Sequence, residues 1–553
     1  MKKSNLLKKA VSVLLVASAL AGCGSSASQT ATTAAPAAAG TETSEAATEA
    51  ASSESSAEPG TITMAMVSAW DSIIPFDTTS SYSDAVLDLI YDKLVYLKQD
   101  GTYEPRLADK WSMSDDNKVL TVHLNENAKW QDGEPVTADD VVFTMQVYNS
   151  PSAAVVRQNN VSPFAGFKEG DDSLQVKAVD EHTVEMTCAE PTNMDFLFFI
   201  KFRDIYILPK HLLGDTPYAD IRNNSYWEKP IGSGPCIYES QISGERMEFK
   251  ANKDYYLKTP QWDRFVVKVV ATPSLLSGLM NDEIDILAGN VASLQLSDWD
   301  MAQQQNLTCV STESVGYQYM AINTEKDYLP PKVRQAIDMA INRDAIVSGL
   351  LKGEGEPAFG PFATSHKYYD DVVNVGYNPE KAKELLAEAG WDGSHELVFS
   401  VPTGNSIREQ AAVIIQQNLQ EIGIKTKIES ADFATHLTKV REGNYDLGLI
   451  GSGGSPDPSE CVINFKPDHI NNFSHLSDWT IYNTGAEGEH AFSFEDRKVD
   501  YDNYQELLVE QVPFCFLYFQ NNLFAYNNRI GNVKDNQDYS QLNRDVWNWT
   551  IEK

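Results

Sequence analysis

In Gly451-Ser452-Gly453-Gly454-Ser455, closely followed by Asp457, two hydroxyls and a carboxylate stand where glycine lets another backbone or a solute come close. Such hydroxyls could act as nucleophiles or as hydrogen-bond partners. Nucleophilic work needs a base and a strained turn, and the spacing does not meet the Gly-x-Ser-x-Gly elbow. No His-Glu-x-x-His run occurs, and the nine histidines, His211, His366 and His395 among them, form no metal-like pair with one another or with a cysteine. Neither residues 232–235 nor residues 451–454 continue into Gly-Lys-Ser/Thr, so no phosphate-cradling loop is built. The chain reads as a protein that binds without turnover, without a cofactor and without a metal site.

The elements that must hold the glycine-serine loop are legible upstream of it. Residues 397–401 read as a buried strand. Ser406 and Glu409 have the spacing of a capping box, opening a helix with apolar residues at Ala411, Ile414, Ile415, Leu419 and Ile422, which Gly423 ends. Ile424, Thr426 and Ile428 alternate as a second strand, Asp432 caps a helix through Val440, and residues 445–450 form a third strand. Strand, helix, strand, helix, strand in sequence implies parallel pairing with right-handed crossovers. In such sheets ligands sit outside the carboxyl ends of the strands. Topology therefore puts Thr403, Asn405, Ser430, Ser452 and Ser455 at a cleft, with a plain flexible turn as the competing reading of the last loop.

Around this unit the body is a mixed α/β structure. Val333, Ala336, Ile337, Ala340 and Ile341 make one helix face, and Asn378-Pro379-Glu380 opens another helix with a cap, a proline and an acid. Thr137 and Asp140 cap a helix running to Tyr148, and strands are expected at residues 119–124, around Val184 and Met186, and at 265–270. The aromatic candidates for solute contact are Trp70 after the first strand, Tyr82 at the start of the next helix, and Tyr317 and Tyr319, whose alternation sends both to one face. The formal net charge of −34 argues against nucleic acid and anionic membrane surfaces as partners. Apart from Cys23, the cysteines Cys188, Cys236, Cys309, Cys461 and Cys515 are odd in number and lack a close pair, and read as small buried side chains.

The chain begins with Lys2, Lys3, Lys8 and Lys9, an apolar run over 11–20 too short to span a bilayer, and Leu20-Ala21-Gly22-Cys23. This junction resembles the bacterial lipobox, which implies removal of residues 1–22 and acylation of Cys23. Residues 24–59 are almost all Ser, Ala, Thr and Glu, a composition that cannot offset the entropy of ordering. As a flexible coil this segment reaches on the order of 30 Å. Residues 60–553 are too long for one core, and at least two lobes are expected.

Several phrases in fixed order carry a resemblance. They are Glu104-Pro105-Arg106-Leu107-Ala108 through Trp130-Gln131-Asp132-Gly133 to Thr137-Ala138-Asp139-Asp140-Val141, then Ile231-Gly232-Ser233-Gly234-Pro235 with Asn252-Lys253-Asp254-Tyr255-Tyr256. Val333-Arg334-Gln335-Ala336-Ile337, Tyr377-Asn378-Pro379-Glu380-Lys381-Ala382 and Asn444-Tyr445-Asp446-Leu447 leading to Asp457 follow. Together they resemble the extracellular solute-binding protein family 5, the dipeptide, oligopeptide and nickel-binding group of ABC importers. The resemblance implies a two-lobed α/β fold of the periplasmic-binding-protein type (class II, cluster C-like) with an inserted domain. It divides the chain into a first lobe (60–103, 228–320 and 512–553), an insertion (104–227) and a second lobe (321–511) that close by hinge motion.

By the same resemblance the partners are a small peptide, a membrane reached through the lipid on Cys23, and the transmembrane subunits of a permease. The protein is expected as a monomer on the outer face of the cell membrane. In peptide-binding relatives an aspartate in a Trp-x-x-Asp setting pairs with the peptide amine. Ser452 and Ser455 stand at the matching places, with Asp457 either a substitute or a cap for the next element. That departure keeps an oligosaccharide as the alternative cargo, and a receptor reporting to a sensor as the alternative role.

Overall fold

The computed structural model describes residues 60–97, 102–455, 457–533 and 545–552. Cys23, the lipobox and the 24–59 segment lie outside the described residues.

Side-chain alternation in the Tyr317–Ile322 strand sorts the protein's second sheet into two faces. Met320 and Ile322 join a core with Leu397, Phe399 and Ile415, whereas Tyr317, Tyr319 and Ala321 join another with Phe514, Phe516 and Phe465. Burying a side chain such as Leu397 or Phe399, each 0 % exposed, contributes about 1.5–3 kcal/mol. This six-stranded sheet runs in the order Gly355–Pro357, Phe514–Gln520, Tyr317–Ile322, Leu447–Ser452, Glu396–Pro402, Lys425–Ala431. The Glu396–Pro402 strand pairs parallel with both of its neighbours, as the strand–helix succession requires.

A seven-stranded sheet is built around Thr61–Met66, which pairs parallel with Arg264–Val269 and with Ile286–Leu287. Asn522–Asn527 and Leu307–Thr312 extend it on one side, and Arg246–Ala251 and Cys236–Ile242 on the other. A third, four-stranded antiparallel sheet runs Ala108–Met113, Val119–Leu124, Thr183–Thr187, Val176–Asp180. Its core is continuous with that of the seven-stranded sheet.

The chain passes between the two large sheets at 313–316 and at 521, where Leu307–Thr312 leads into Tyr317–Ile322 and Phe514–Gln520 leads into Asn522–Asn527. Both Tyr317–Ile322 and Phe514–Gln520 lie wholly in the six-stranded sheet, so the change of sheet falls outside the 320/321 and 511/512 divisions read from sequence. The reason is pairing: Tyr319 sits opposite Ile450 on one side and Phe516 on the other.

Local signals held in most places. Thr137 and Asp140 form a reciprocal capping box, and Asn378 and Asp432 cap their helices through side-chain oxygens. Two details differ. The Ser406–Glu421 helix is capped by Asn405, which accepts from Arg408 N at 2.9 Å, and Glu409 reaches back to Gly404 N at 2.8 Å, so the cap lies one residue before Ser406. The third strand is Leu447–Ser452 rather than 445–450, because Tyr445 turns aside to bond the Phe473 carbonyl and Asp446 accepts from Val398 N at 2.7 Å. Cys188, Cys236, Cys309, Cys461 and Cys515 are free thiols, and all but Cys309 are buried.

Candidate ligand site at the facing strand ends

The carboxyl ends of the parallel strands in both large sheets point at the inter-sheet crossings. In the six-stranded sheet, Ser452 at the end of its strand is opposite Tyr317, the first residue after the 313–316 crossing. In the seven-stranded sheet, Met64 and Ala65 run parallel to Ile286 and Leu287, and Ile286 is antiparallel to Tyr526. The Thr61–Met66 strand therefore advances toward Asn522 and the 521 crossing. Trp70 follows that strand, and the Ser452 loop ends the other. Two sets of strand ends thus face one crossing region, the arrangement in which α/β proteins place a ligand.

Each expected contact residue has a definite place in the fold. Trp70 is partly buried against the first core and donates from Nε1 to Gln241 Oε1 at 2.8 Å. Its loop is pinned to the next helix by Ser83, whose hydroxyl accepts from Asp71 N at 3.0 Å and Ser72 N at 3.2 Å. Tyr82 lies half-buried on that helix. Thr403 is exposed, and its backbone N–H donates to the Ala431 carbonyl at 2.8 Å, while the exposed Asn405 is committed to capping. Ser452 is half-buried and accepts from Gly454 N at 3.2 Å. Ser455 is 5 % exposed and accepts from Asp457 N at 3.1 Å.

Three candidates are structural in this conformation. Tyr317 and Tyr319 do share a face, with ring centroids 5.7 Å apart, but the face is a core: Tyr317 packs edge-on to Phe516 at 5.2 Å and Tyr319 stacks on Phe514 at 4.3 Å. Neither ring offers a surface to a solute. Asp457 is 2 % exposed; it accepts from Ser459 N at 3.0 Å and pairs with Arg497 Nη2 at 2.9 Å. A carboxylate already neutralised by a buried guanidinium is a poor anchor for an ammonium.

Sequence reading passed over the polar groups around these positions. Gln318, between the two tyrosines, points to the opposite sheet face and receives both Arg408 Nε at 2.9 Å and Arg408 Nη2 at 2.7 Å on its Oε1. The same alternation that paired the tyrosines could have singled out Gln318. Arg497 also stands 3.7 Å from Asp195, which accepts from the Tyr103 hydroxyl at 2.8 Å, and Arg203 meets Glu460 at 3.2 Å. The Asn193 amide donates to the Ala491 carbonyl. The Asn193–Ala491 and Asp195–Arg497 contacts join segments some three hundred residues apart in sequence, which no local pattern reveals. Glu489 lies beside them; burial and the neighbouring Asp457 lift its carboxyl to about 7, against the pull of Lys201 and Arg497. A separate surface hollow lined by Glu325, Arg441, His469 and His475 lies at the other end of the Tyr317–Ile322 strand, away from the crossings.

Comparison with known proteins agrees with this architecture. The family model described as bacterial extracellular solute-binding proteins, family 5 Middle, matches residues 102–472, more than half of the chain. The chain is 27 % identical over 515 residues to the oligopeptide-binding protein AppA of Bacillus subtilis, covering 85 % of this chain and 89 % of that one. It is 29 % identical over 406 residues to the dipeptide-binding protein of Escherichia coli, covering 69 % and 74 %. Among solved structures, the ABC transporter substrate binding protein CtaP of Listeria monocytogenes superposes with a TM-score of 0.79 at 23 % identity, covering 90 % of this chain and 100 % of that one. With its α/β sheets, its facing strand ends and this match, the chain belongs to the bacterial extracellular solute-binding proteins of family 5, which are transport binding proteins and not enzymes.

Proposed function

We propose that this chain is the lipid-anchored solute-binding component of an ABC importer that captures a small peptide and hands it to the transmembrane subunits of a permease. Acylation of Cys23 holds it on the outer face of the cell membrane, and residues 24–59 let the body turn above that surface. Two acyl chains make such an anchor stable where one gives only reversible binding. The lobes meet at 313–316 and 521, the segment 104–227 is an insertion of the first lobe, and the protein works as a monomer.

The observation that carries this reading is the convergence of two sets of strand ends on a two-stranded crossing. Rotation about so narrow a connection moves one sheet against the other without disturbing either core. The peptide cargo is supported by the names of the relatives, AppA and the dipeptide-binding protein. Capture requires only that solute bind the closed form more tightly than the open one.

Calorimetric titration of the full chain in detergent with tri- to nonapeptides and with neutral oligosaccharides tests the cargo, and small-angle scattering with and without solute tests closure. Saturable peptide binding with a smaller radius of gyration is expected. Sugar binding without any peptide response would replace the cargo, and an unchanged radius on saturation would remove the hinge.

A further inference from the structure

The hollow at the end of the Tyr317–Ile322 strand away from the crossings is lined by Glu325, Arg441 and the 467–477 segment. Its volume of about 610 Å³ falls within the roughly 300–1,000 Å³ of small-molecule sites. A strained turn shapes it. His475 has φ +55°, a left-handed conformation uncommon for a residue with a side chain. Thr324 holds that turn, donating from its N–H to the Ser474 carbonyl at 2.9 Å and from its hydroxyl to the His475 carbonyl at 3.1 Å. Gly443, at φ +72°, keeps the space between two of the lining groups open: a Cβ there would touch His475 Cε1 at 3.4 Å and Glu325 Oε2 at 3.6 Å.

His475 Nε2 lies 2.8 Å from the Val440 carbonyl. A carbonyl only accepts, so Nε2 carries the proton and Nδ1 of the neutral ring is an acceptor. Nδ1 stands 3.9 Å from Glu325 Oε2, a second acceptor. Two acceptors so placed lack a donor between them, and an ammonium supplies one to each. Arg441 lies in the last turn of the Phe433–Arg441 helix, where a cation suits the helix dipole without spending its donors. Among the described residues it has no ion pair or hydrogen bond, and only the Phe473 ring approaches, 6.0 Å from the guanidinium carbon. Of the other charged groups, Asp468 is answered by Lys466 at 3.4 Å. Burial first and Lys466 second hold the His469 pKa below its ordinary value, so that ring adds no charge. One acid and one guanidinium remain, beside an apolar wall of Pro467, Ile470 and Leu476.

We propose that this hollow is a second solute site, which takes a free α-amino acid with an apolar side chain: the ammonium between Glu325 and His475, the carboxylate on Arg441, and the side chain against Ile470 and Leu476. A guanidinium meets a carboxylate in two parallel bonds, and the ammonium's charge-assisted bonds complete the pairing of both ends. Glu325 follows one strand of the six-stranded sheet and Arg441 precedes another. Rotation of one large sheet against the other would therefore leave the site unchanged, so its occupancy neither competes with the cleft nor drives closure. The site holds whether or not the cleft takes a peptide.

Calorimetry on the full chain in detergent compares leucine with leucinamide, which lacks the carboxylate, and with N-acetylleucine, which lacks the ammonium. Leucine is expected to bind saturably and roughly tenfold or more tightly than either analogue. Glu325→Gln and Arg441→Gln, both at exposed positions, should melt as wild type and each weaken leucine roughly tenfold. Hydrogen exchange locates the binding: leucine should protect residues 467–477 and leave 449–455 unchanged. Absence of saturable leucine binding, equal binding of leucine and its two analogues, protection at 449–455 in place of 467–477, or both variants binding as tightly as wild type would each overturn the proposal. A protein that binds leucine in this hollow and no peptide in the cleft keeps the second site and loses the peptide cargo.

Discussion

Asp457 Oδ2 lies 2.9 Å from Arg497 Nη2, with the two side chains 2 % and 1 % exposed. The pair ties the loop after the Leu447–Ser452 strand to the Phe494–Gln511 helix, and Arg497 Nε also donates to the Gly488 carbonyl at 2.9 Å. This arrangement explains why an acid two residues beyond Ser455 is not available to a ligand. Removing one member of such a pair strands the other charge in a low-dielectric setting.

Arg497→Ala is accordingly expected to destabilise the protein by about 3–5 kcal/mol, the usual consequence of leaving a buried charge unpaired. The double variant Arg497→Met with Asp457→Leu should recover much of that loss. Urea melts of the three proteins measure it, and a single variant as stable as the double would refute the account.

Glu489 gives the protein a signed pH dependence. Burial first, and the Asp457 charge second, raise its carboxyl from 4.5 to about 7. The folded state then holds a proton that the unfolded chain has released, so this group's contribution is fully present below pH 4.5 and is lost as pH rises to about 7. Melting temperatures of wild type and Glu489→Gln should coincide below that window and diverge in favour of the variant above it. A constant difference across the range would contradict the assignment.

Gly454 has φ +66°, and a Cβ there would lie 1.7 Å from the Val315 carbonyl oxygen in the first crossing segment. Gly454→Ala must therefore displace the crossing and is expected to cost more than about 1 kcal/mol. A Cβ on the adjacent Gly453 meets nothing within 4 Å, and Gly453→Ala should stay within about 0.5 kcal/mol. Chemical denaturation of both variants decides between a crowded loop and a free one.

Asn193 and Asp195 reach from the segment after the four-stranded sheet to Ala491 and Arg497. If they clasp the closed form, Asn193→Ala with Asp195→Ala should speed solute release roughly tenfold, which corresponds to about 1.4 kcal/mol. Stopped-flow displacement reads the rate, and an unchanged rate would confine these contacts to a structural role.

Sequence alone determined the features that depend on neighbours within a few residues or on order along the chain. The cap at Asp432, the box of Thr137 and Asp140 and the parallel strand–helix unit were legible because helix ends and sheet faces have fixed local periods. The ordered motifs identified the family for the same reason: their succession is a one-dimensional property. Tertiary structure decided what each side chain faces. Tyr317 and Tyr319 were rightly sent to one side of a strand, but whether that side was cleft or core depended on Phe514 and Phe516, nearly two hundred residues away. Asp457 is turned to Arg497, and Arg408 is turned to Gln318, a partner that only the sheet brings to it. Charges and rings act over ångströms of space, and only the folded chain sets those distances.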